Sequence, residues 1–478
     1  MLNETIISKA INKIFYNTDP CGSGKTLKMC MYVSKSNNKT IIVHNSIALI
    51  KQTVSFFDGC ATAIYSSVEQ DTSVMDRVVD FIRNQSNRIL VISDKTFWRI
   101  SISLLDGYEI FIDDVATVVD YMYKNEMDEY LKGFIKNKLF SERDEVPHNS
   151  NYITAVKQEV SGDFQQSIRD DFSIADNNDF FTMNKEWFDD DNKGQLTVLG
   201  YKDLNKYAHL NITFMANDFK NTMVYLAFPD LFVEVDSKPL KQRTIPLEQR
   251  LSVKYFCKNK ALSATWKNEN PEKLKKIYDY LNVELNGTKY YWTKNKKDGG
   301  VYNLSGTFIT PDSRGLNQYQ DYNTCVWLAC MKPSPVEHKC LEDILNITYH
   351  QVVQARELEV LHQFTLRGVS RQYDSSEIQT VYVFDEEQAL SLVSNPEYID
   401  LGIDDEDEPK KVGAPTKLVK IPQAISKRKY KFIQKCKKDG ITIEIGMFRK
   451  WVHSLDDCSD EVQNSLIDQF TAKGSAKG

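Results

Sequence analysis

The stretch Cys21-Gly22-Ser23-Gly24-Lys25-Thr26 follows a short apolar run at residues 14–16 and a turn at 17–20, and it leads into a helix-forming segment. Glycine at 22 and at 24 lets backbone N–H groups converge on an anion, and the beginning of a helix adds partial positive charge. A lysine and a hydroxyl residue directly after such a turn can bind nucleotide phosphates and Mg²⁺. The stretch therefore predicts a phosphate site at residues 22–26, although glycines beside a helix also occur as plain turn residues.

Three buried apolar runs follow at residues 40–44, 88–92 and 108–112, and helix-like segments separate them. Apolar strands that alternate with helices are typical of a parallel sheet covered by helices on both faces. Ligands of such sheets bind at the carboxyl ends of the strands, which is where the polar residues of this chain fall. The predicted fold class is therefore α/β, with the phosphate site at the carboxyl edge of the sheet.

Two acids, Asp113 and Asp114, directly follow the third run. A carboxylate at the end of a buried strand beside a phosphate site can hold Mg²⁺ through water, and a second carboxylate can position an attacking water. Two acids can also cap the helix that comes next. Their position on a third predicted strand after the glycine turn favours the functional interpretation.

The rest of the chain predicts an insertion, a second α/β unit and a C-terminal module. Residues 122–206 are rich in Asp, Asn and Glu with interspersed aromatics, and we expect an insertion with its own small helical cluster. Strands and helices alternate again from Pro271, with a long helix through residues 361–371, so two lobes with a cleft between them are expected. The predicted boundaries are 1–266 for the first lobe, 267–400 for the second, 401–412 for an acidic linker and 413–478 for a basic module.

The composition is that of an ordinary globular protein of 478 residues, 41% hydrophobic and 26% charged. No apolar run is long enough for a membrane span and the N-terminal segment lacks a signal-peptide core, so we expect a cytoplasmic protein with no membrane partner. Nine cysteines without a CxxC pair argue against structural zinc. With a net charge of −6, any contact with nucleic acid must come from local basic patches.

The segment 410–438 is such a patch, since it contains eleven Lys or Arg and no acid and follows an acidic run at 404–408. Acids, then Pro and Gly, then bases are typical of a flexible linker that leads to a small basic module. The stretch 460–470 is expected to be its closing helix. This segment can bind a polyanion through Lys427, Arg428 and Lys429, or it can be a solvated charged face. The sequence leaves both interpretations open.

In their order along the chain, these motifs resemble those of the superfamily-two DExx-box helicases and translocases, particularly those encoded by bacteriophages and large DNA viruses. Residues 22–26 resemble motif I, 46–52 motif Ia and 93–97 a further DNA-contacting turn, while Asp113-Asp114 is similar to motif II. Residues 263–265, 313–317 and 363–371 resemble motifs III, V and VI. The resemblance implies two RecA-like lobes with parallel sheets flanked by helices. It also implies ATP and Mg²⁺ as cofactors, single-stranded or forked DNA as partner, and other replication proteins as further partners.

Carried over residue by residue, the resemblance implies a role for each motif. Lys25 and Thr26 would bind phosphate, and Thr26 and Asp113 would bind Mg²⁺. Asp114 would position the attacking water. The groups expected to reach across the cleft to the γ-phosphoryl group are Gln363, Arg367 and Arg371, and such an arginine is typically worth about 10³ to 10⁵ in rate. Ser263 and Thr265 would couple the lobes. The residues expected to contact nucleic acid are Ser46, Ser93, Lys95, Arg314, Lys427, Arg428 and Lys429.

These expectations describe an ATP hydrolase, a DNA helicase or translocase acting in replication or recombination, of a phage or virus and thus in the cytoplasm of its host. Two alternatives stay open. A DNA-packaging ATPase of the terminase kind shares the phosphate site and paired acids, but it needs a nuclease domain with clustered acids, whereas this C-terminal part is basic. A non-catalytic DNA-binding protein with a vestigial ATP site would depend on the basic tail alone.

Overall fold

The computed structural model describes residues 12–66, 72–85, 87–114, 117–124, 129–135, 140–142, 152–157, 174, 177–188, 195–298, 300, 302–313, 315–316, 318–404, 423–438, 445–455, 463 and 466. The chain divides into two compact units, Met1–Asp404 and Asp405–Gly478. The first unit contains three sheets, two of them parallel and one antiparallel. None of the helices in the described ranges combines the length and the apolar character that a membrane crossing requires.

The first lobe is built on a seven-stranded sheet in which all neighbouring strands are parallel. Its strands are β1 (Ile14–Asn17), β2 (Thr40–His44), β3 (Ala61–Ile64), β4 (Ile89–Ser93), β5 (Glu109–Asp113), β11 (Asn211–Met215) and β12 (Phe232–Glu234). In space they follow the order β12-β1-β11-β5-β2-β4-β3. β2 and β5 are buried along their whole length, as expected of strands covered on both faces.

The helices of this lobe are Lys25–Lys35, Ile47–Val54, Val74–Asn84, Asp94–Phe97 and Met223–Ala227. Four of them begin at a hydroxyl side chain that accepts a backbone N–H bond, which satisfies one of the unpaired donors of a first turn. The helix Lys25–Lys35 differs, because its N-cap is Gly24 without a side-chain cap. The exposed N–H groups of that first turn stay available to a ligand.

The described residues of the insertion form a five-stranded antiparallel sheet, where the sequence predicted a small helical cluster. Its strands are β6 (Val119–Lys124), β7 (Phe140–Glu142), β8 (Tyr152–Lys157), β9 (Phe180–Asn184) and β10 (Leu196–Tyr201), in the order β6-β10-β9-β8-β7, and a short helix spans Glu129–Phe134. Phe181 and Met183 on β9 and Leu196 and Val198 on β10 share one core. This period of two is the strand signal that the many intervening acids concealed.

The second lobe is built on a six-stranded parallel sheet. Its strands are β13 (Leu251–Cys257), β14 (Tyr291–Lys294), β15 (Thr307–Phe308), β16 (Thr324–Leu328), β17 (Gln379–Asp385) and β18 (Glu397–Tyr398), in the order β15-β14-β16-β17-β13-β18. The predicted boundary at residue 266 was too late, because β13 pairs with β17 and β18. The fold class of two α/β lobes with parallel sheets and flanking helices is confirmed.

The helices of the second lobe are Ala264–Glu269, Pro271–Glu284, Pro335–Leu345, Tyr349–Val353, Glu359–Thr365 and Glu386–Leu390. A π-helical turn, Gln354–Leu358, joins two of them. Within this turn Glu357 is fully buried, 2.8 Å from the Nζ of Lys332, which also lies 3.3 Å from Asp385. Burial lowers the pKa of Lys332, but the charges of Asp385 and Glu357 outweigh burial and raise it, so this lysine stays charged inside the lobe.

The insertion shares a core with a helix of the second lobe. Tyr152 and Leu199 of the insertion belong to the same buried cluster as Cys340 and Leu341 on the helix Pro335–Leu345. The same cluster continues into the first lobe, where it includes Ile110. The insertion is therefore packed against both lobes.

The C-terminal unit contains two described helices, Gln423–Lys438 and Ile445–His453. They pack through a small core in which Phe432 and Trp451 stack at 4.7 Å. The predicted linker at 401–412 begins too early, since Asp404 accepts a 2.8 Å bond from Tyr398 and bonds from the backbone N–H of Lys258. Residues 405–412 lie outside the described residues, as does most of the predicted closing helix at 460–470.

Candidate nucleotide-binding site between the two lobes

A cavity of about 190 Å³ lies between the two lobes at the carboxyl edge of the first sheet. The first lobe contributes the glycine turn and the two acids, and the second lobe contributes polar and basic groups from the region of motif VI. The predicted residues that line the cavity are Gly22, Gly24, Lys25, Thr26, Asp113, Asp114, Gln363, Arg367 and Arg371. Groups more than 200 residues apart in sequence thus surround one space.

The glycine turn has the backbone shape that the sequence requires. Gly22 and Gly24 have φ angles of 84° and 94°, in the left-handed region that favours glycine. A Cβ on Gly24 would lie 3.2 Å from the Cβ of Leu240. The Nζ of Lys25 donates to the carbonyl oxygens of Asp19, at 2.5 Å, and Pro20, at 3.1 Å. The ammonium group is thereby held over the turn.

The magnesium-binding pair predicted from the sequence is in direct contact. The hydroxyl of Thr26 donates to Oδ2 of Asp113 at 2.6 Å. Burial raises the pKa of Asp113, while the nearby His44 and the bond from Thr26 act in the opposite direction. Two hard oxygen ligands at the end of a buried strand are what Mg²⁺ prefers.

His44 is a member of this site that sequence reasoning missed. It ends β2 directly opposite Asp113 in the register of the sheet, its Nδ1 lies 3.6 Å from Oδ2 of Asp113, and its Nε2 lies 2.8 Å from the hydroxyl of Thr53. Burial lowers the pKa of His44 against the charge of Asp113. The ring lies beside the carboxylate, and its Nδ1 has no hydrogen-bond partner in the described structure. Its place at the end of a predicted buried strand was the signal that could have identified it.

Asp114 has an unusual backbone conformation. Its φ is 81°, a left-handed conformation that aspartate adopts more readily than most side chains. Its N–H donates to the carbonyl oxygen of Met215 on the neighbouring strand at 2.9 Å. This turn directs the chain out of the sheet at the point where the carboxylate lines the cavity.

Across the cleft, the predicted long helix through 361–371 ends early, at Thr365. The next residues make a turn in which the N–H of Arg367 donates to the carbonyl of Phe364, and a short 3₁₀ turn, Val369–Arg371, follows. Arg367 and Arg371, on the two sides of this turn, both line the cavity. A continuous helix would have placed them one above the other on a single face.

Arg367 is buried at 4% exposure, and its Nη1 donates to the carbonyl oxygen of Leu316 at 3.2 Å. Its Nε has no hydrogen-bond partner in the described structure. Burial lowers the pKa of its guanidinium. A buried, incompletely satisfied cation facing the phosphate turn is suited to an incoming anion.

Two further contacts connect the second lobe to the glycine turn. The Nη1 of Arg371 lies 3.9 Å from the Sγ of Cys21, and the hydroxyl of Tyr373 donates to the carbonyl oxygen of Cys21 at 2.8 Å. The guanidinium of Arg243, in the connection between the lobes, lies 4.2 Å from the centre of the Tyr373 ring. Tyr373 was missed because an isolated tyrosine beyond the last motif carries no local signal.

A hydrogen-bonded bridge between the lobes was also missed. Asn217, just after β11, accepts from the N–H of Cys21 at 2.9 Å and donates to both carboxyl oxygens of Glu359, at 2.9 and 3.0 Å. Gln363 also donates to Glu359, at 3.0 Å. Burial raises the pKa of Glu359 to about 7, although the bonds from Gln363 and Asn217 lower it. The bridge extends from the phosphate turn to the helix that carries Gln363.

Ser263 and Thr265 were predicted to couple the two lobes. Both belong to the second lobe, after β13, and neither lines the cavity. Ser263 caps the helix Ala264–Glu269 by accepting from Trp266 at 2.9 Å, and Thr265 is exposed in its first turn. A Ser-Ala-Thr sequence is also a good helix beginning, and this local role explains it here.

The residues predicted to contact nucleic acid fall into three groups. Ser46 and Ser93 lie at or just beyond the carboxyl ends of β2 and β4, where their hydroxyls cap short helices. Lys95 is exposed beside Ser93. Arg314 lies outside the described residues. Lys427, Arg428 and Lys429 lie on the helix Gln423–Lys438 of the C-terminal unit, where the side chain of Lys427 is not described.

The residues at the cavity fit a nucleotide triphosphate with Mg²⁺. The two left-handed glycines form a turn in which side chains would be strained, and the buried hydroxyl of Ser23 beside them has no partner in the described structure. Lysine and arginine face one another across the cavity, and Thr26 with Asp113 supplies oxygen ligands for a metal. The arrangement can hold phosphates between opposed cations.

No protein-family model matches the sequence, and no curated protein is significantly similar to it. Among solved structures, the chain is similar to one titled "XPD_Helicase", with 11% identity and a TM-score of 0.46 over 83% of this chain and 98% of that one. "The crystal structure of T4 UvsW" has 10% identity and a TM-score of 0.23 over 80% and 66%. A complex of the Arterivirus nonstructural protein 10 helicase with DNA has 14% identity and a TM-score of 0.30 over 81% and 65%. Likeness this distant assigns no activity, which has to be argued from the cavity itself.

Proposed function

We propose that the protein is an ATP-driven motor that moves along or unwinds DNA. The observation that supports this most is the convergence of Lys25, Thr26 and Asp113 from one lobe with Arg367 and Arg371 from the other on a single cavity. A nucleotide held in this way contacts both lobes, so its terminal phosphate affects how they are arranged. Such a cleft can convert ATP hydrolysis into relative movement of two nucleic-acid-binding surfaces.

Each residue has a role in this proposal that its position supports. Lys25 and the N–H groups of the glycine turn bind the phosphates, and Thr26 and Asp113 hold Mg²⁺, which would neutralise charge on the phosphate oxygens. Asp114 orients the attacking water. Arg367 and Arg371 stabilise the negative charge of the transferring group from the opposite lobe.

The two lobes also offer a path for the DNA backbone. Hydroxyl side chains and helix beginnings lie at the carboxyl ends of β2 and β4, at Ser46 and Ser93, with Lys95 beside them. Groups of this kind contact phosphates without reading the bases. We propose that one DNA strand lies along this edge, with Arg314 contributing from the second lobe.

The proposal also includes a cellular compartment and a biological role. The eight cysteines of the described residues are all free thiols, which is typical of a reducing compartment such as the cytoplasm. The resemblance of the motifs favours a role in the replication or recombination of phage or viral DNA, alongside other replication proteins.

ATP hydrolysis with and without nucleic acid tests the proposal. The wild type should hydrolyse ATP faster with single-stranded or forked DNA than without it, and RNA tested in parallel determines the preferred polymer. Lys25→Ala should abolish hydrolysis by removing phosphate binding. Arg367→Ala should lower kcat by about 10³ or more while ATP still binds.

Arg83→Ala, which removes an exposed arginine from the helix Val74–Asn84, is the matched control and should behave as the wild type. Hydrolysis that neither DNA nor RNA stimulates would refute the motor. Hydrolysis that survives Lys25→Ala would show that the activity does not come from this cavity.

A further inference from the structure

The chain that connects the two lobes, residues 235–250 between β12 and β13, runs along the glycine turn. Near its beginning, the hydroxyl of Ser237 donates to Oδ2 of Asp19 at 2.9 Å. Further along, the N–H of Lys241 donates to the carbonyl oxygen of Ser23 at 3.0 Å. The first half of this interlobe connection is thereby bound to the lobe that holds the phosphate site.

Directly afterwards, the interlobe connection contacts the second lobe. The Nη1 of Arg243 donates to the carbonyl oxygen of Ser370 at 2.6 Å. The guanidinium of Arg243 also lies 4.2 Å from the centre of the Tyr373 ring, and the carbonyl oxygen of Tyr373 accepts from the N–H of Thr244 at 3.4 Å. One residue, Gln242, therefore separates the contact with the glycine turn from the contacts with the second lobe.

Arg371 lies between the two residues that Arg243 contacts in the second lobe. Its side chain lines the cavity, with Nη1 3.9 Å from the Sγ of Cys21. Because Ser370 on one side of Arg371 and Tyr373 on the other are both in contact with Arg243, the backbone from which the Arg371 side chain extends is held in place. A catalytic group works at its best geometry only when such neighbouring contacts fix its position.

An ion pair does not explain Arg243. The side chain is half-buried, and its hydrogen-bond and ring partners among the described residues are the carbonyl oxygen of Ser370 and the ring of Tyr373, neither of which is a carboxylate. Arg243 does not line the cavity itself. A guanidinium suits this place because its planar fork can donate at its edge while its face lies on an aromatic ring.

We propose that Arg243 is a positioning residue that holds Arg371 over the glycine turn during ATP hydrolysis. The inference rests on the proposed function and deepens it by naming the group on which one arginine of the opposite lobe depends. The three residues from Lys241 to Arg243 span at most about 11 Å when fully extended. This short piece of chain, bound to Ser23 at one end, limits how far Arg371 can withdraw from the phosphate site.

The test is steady-state ATP hydrolysis by the full-length protein at saturating DNA. Arg243→Gln should lower kcat by about 10², which is the typical cost of misplacing a reacting group by about 1 Å. The KM for ATP should stay near the wild-type value, because Lys25 and Thr26 still bind the phosphates. Arg243→Lys keeps the charge but cannot both donate to Ser370 and lie flat on Tyr373, so its kcat should lie between those of the wild type and R243Q.

Two comparisons distinguish positioning from a general effect on the fold. If Arg243 acts through Arg371, R243Q/R371A should have the same kcat as R371A, because no side chain is left to position. Binding of ADP with aluminium fluoride, which mimics the phosphoryl group in transfer, should weaken in R243Q by the same factor as kcat, whereas binding of a non-hydrolysable ATP analogue should not change. The matched control Arg83→Gln removes an exposed arginine and should behave as the wild type in every assay.

Thermal unfolding of each variant monitors folding. If R243Q is unfolded at the assay temperature, R243K and R243K/R371A provide the same comparison. Three outcomes would overturn the inference: an unchanged kcat in R243Q, a KM for ATP that rises as much as kcat falls, and a loss in R243Q/R371A equal to the product of the two single losses. Failure of the proposed function is a separate result, since it would appear in the wild type as hydrolysis that neither DNA nor RNA stimulates.

Discussion

Replacing Glu359 by glutamine should make the first unit more stable than the wild type at alkaline pH, and the gain should shrink in acid. Glu359 is 6% exposed and accepts bonds from Asn217 and Gln363. Burial raises its pKa from an ordinary 4.5 to about 7. Glutamine keeps an oxygen that accepts bonds from Asn217 or Gln363, and it removes the charge that the site has to bury above neutral pH.

The sign and size follow from proton linkage. Between pH 4.5 and 7 the folded state holds a proton at Glu359 that the unfolded chain has lost, so the stability of the wild type falls as pH rises through this window. At about 1.36 kcal/mol per pKa unit, the raised pKa lowers the free energy of unfolding of the wild type by roughly 3 kcal/mol in full, well above pH 7. Roughly 2.5 kcal/mol of it develops between pH 5 and 8.

Thermal unfolding of the wild type and E359Q across pH 5 to 8 measures this difference, because all other titrating groups cancel. With an unfolding entropy of about 2.1 cal/mol/K per residue over the unit Met1–Asp404, the difference in Tm should widen by roughly 3 °C towards pH 8. Glu272→Gln, which removes an exposed carboxyl group, controls for the loss of one acid. Parallel curves of Tm against pH for E359Q and the wild type would refute the reasoning.

Three other substitutions test the packing around the site. Lys332→Met should destabilise the second lobe by about 3 to 5 kcal/mol in thermal unfolding, because it leaves buried carboxylates without their cation; an unchanged Tm would refute this contribution of the ion pairs. Thr53→Val removes the hydrogen-bond partner of His44 Nε2 and should cost about 1 to 3 kcal/mol, while Thr53→Ser should restore most of it. Gly315→Ala places a Cβ 2.8 Å from Leu49 of the opposite lobe, at a residue whose φ is 79°. It should therefore raise the KM for ATP. Leu49→Ala in the same chain should reverse part of that rise.

Local patterns were sufficient for the elements that form the sheets. β2 spans residues 40–44, as predicted, and β4 and β5 each lie within one residue of the predicted runs, because strands buried on both faces are apolar throughout. The placement of Asp113 at a strand end followed from the same reasoning. Local reasoning did not anticipate the capping role of Ser263, which begins a helix of the second lobe.

The contacts between the lobes could not be derived from the sequence. Asn217 and Glu359 are 142 residues apart, and Cys21 and Tyr373 are 352 residues apart. Both contacts therefore depend on how the two lobes pack against each other. The early end of the helix at Thr365 has a similar origin, since the N–H of Val369 donates to the carbonyl of Tyr322, far away in the chain. A tertiary hydrogen bond there overrides the helical pattern.

The shared core of Tyr152 and Cys340 limits how the cleft can work. These side chains lie in one continuous apolar cluster, and close-packed interiors shift as blocks and do not stretch. In the proposed motor, any movement of the half that carries Arg367 would have to carry the antiparallel sheet that packs on the helix Pro335–Leu345 with it, or break that buried contact. Hydrolysis at the phosphate site would then also displace the insertion.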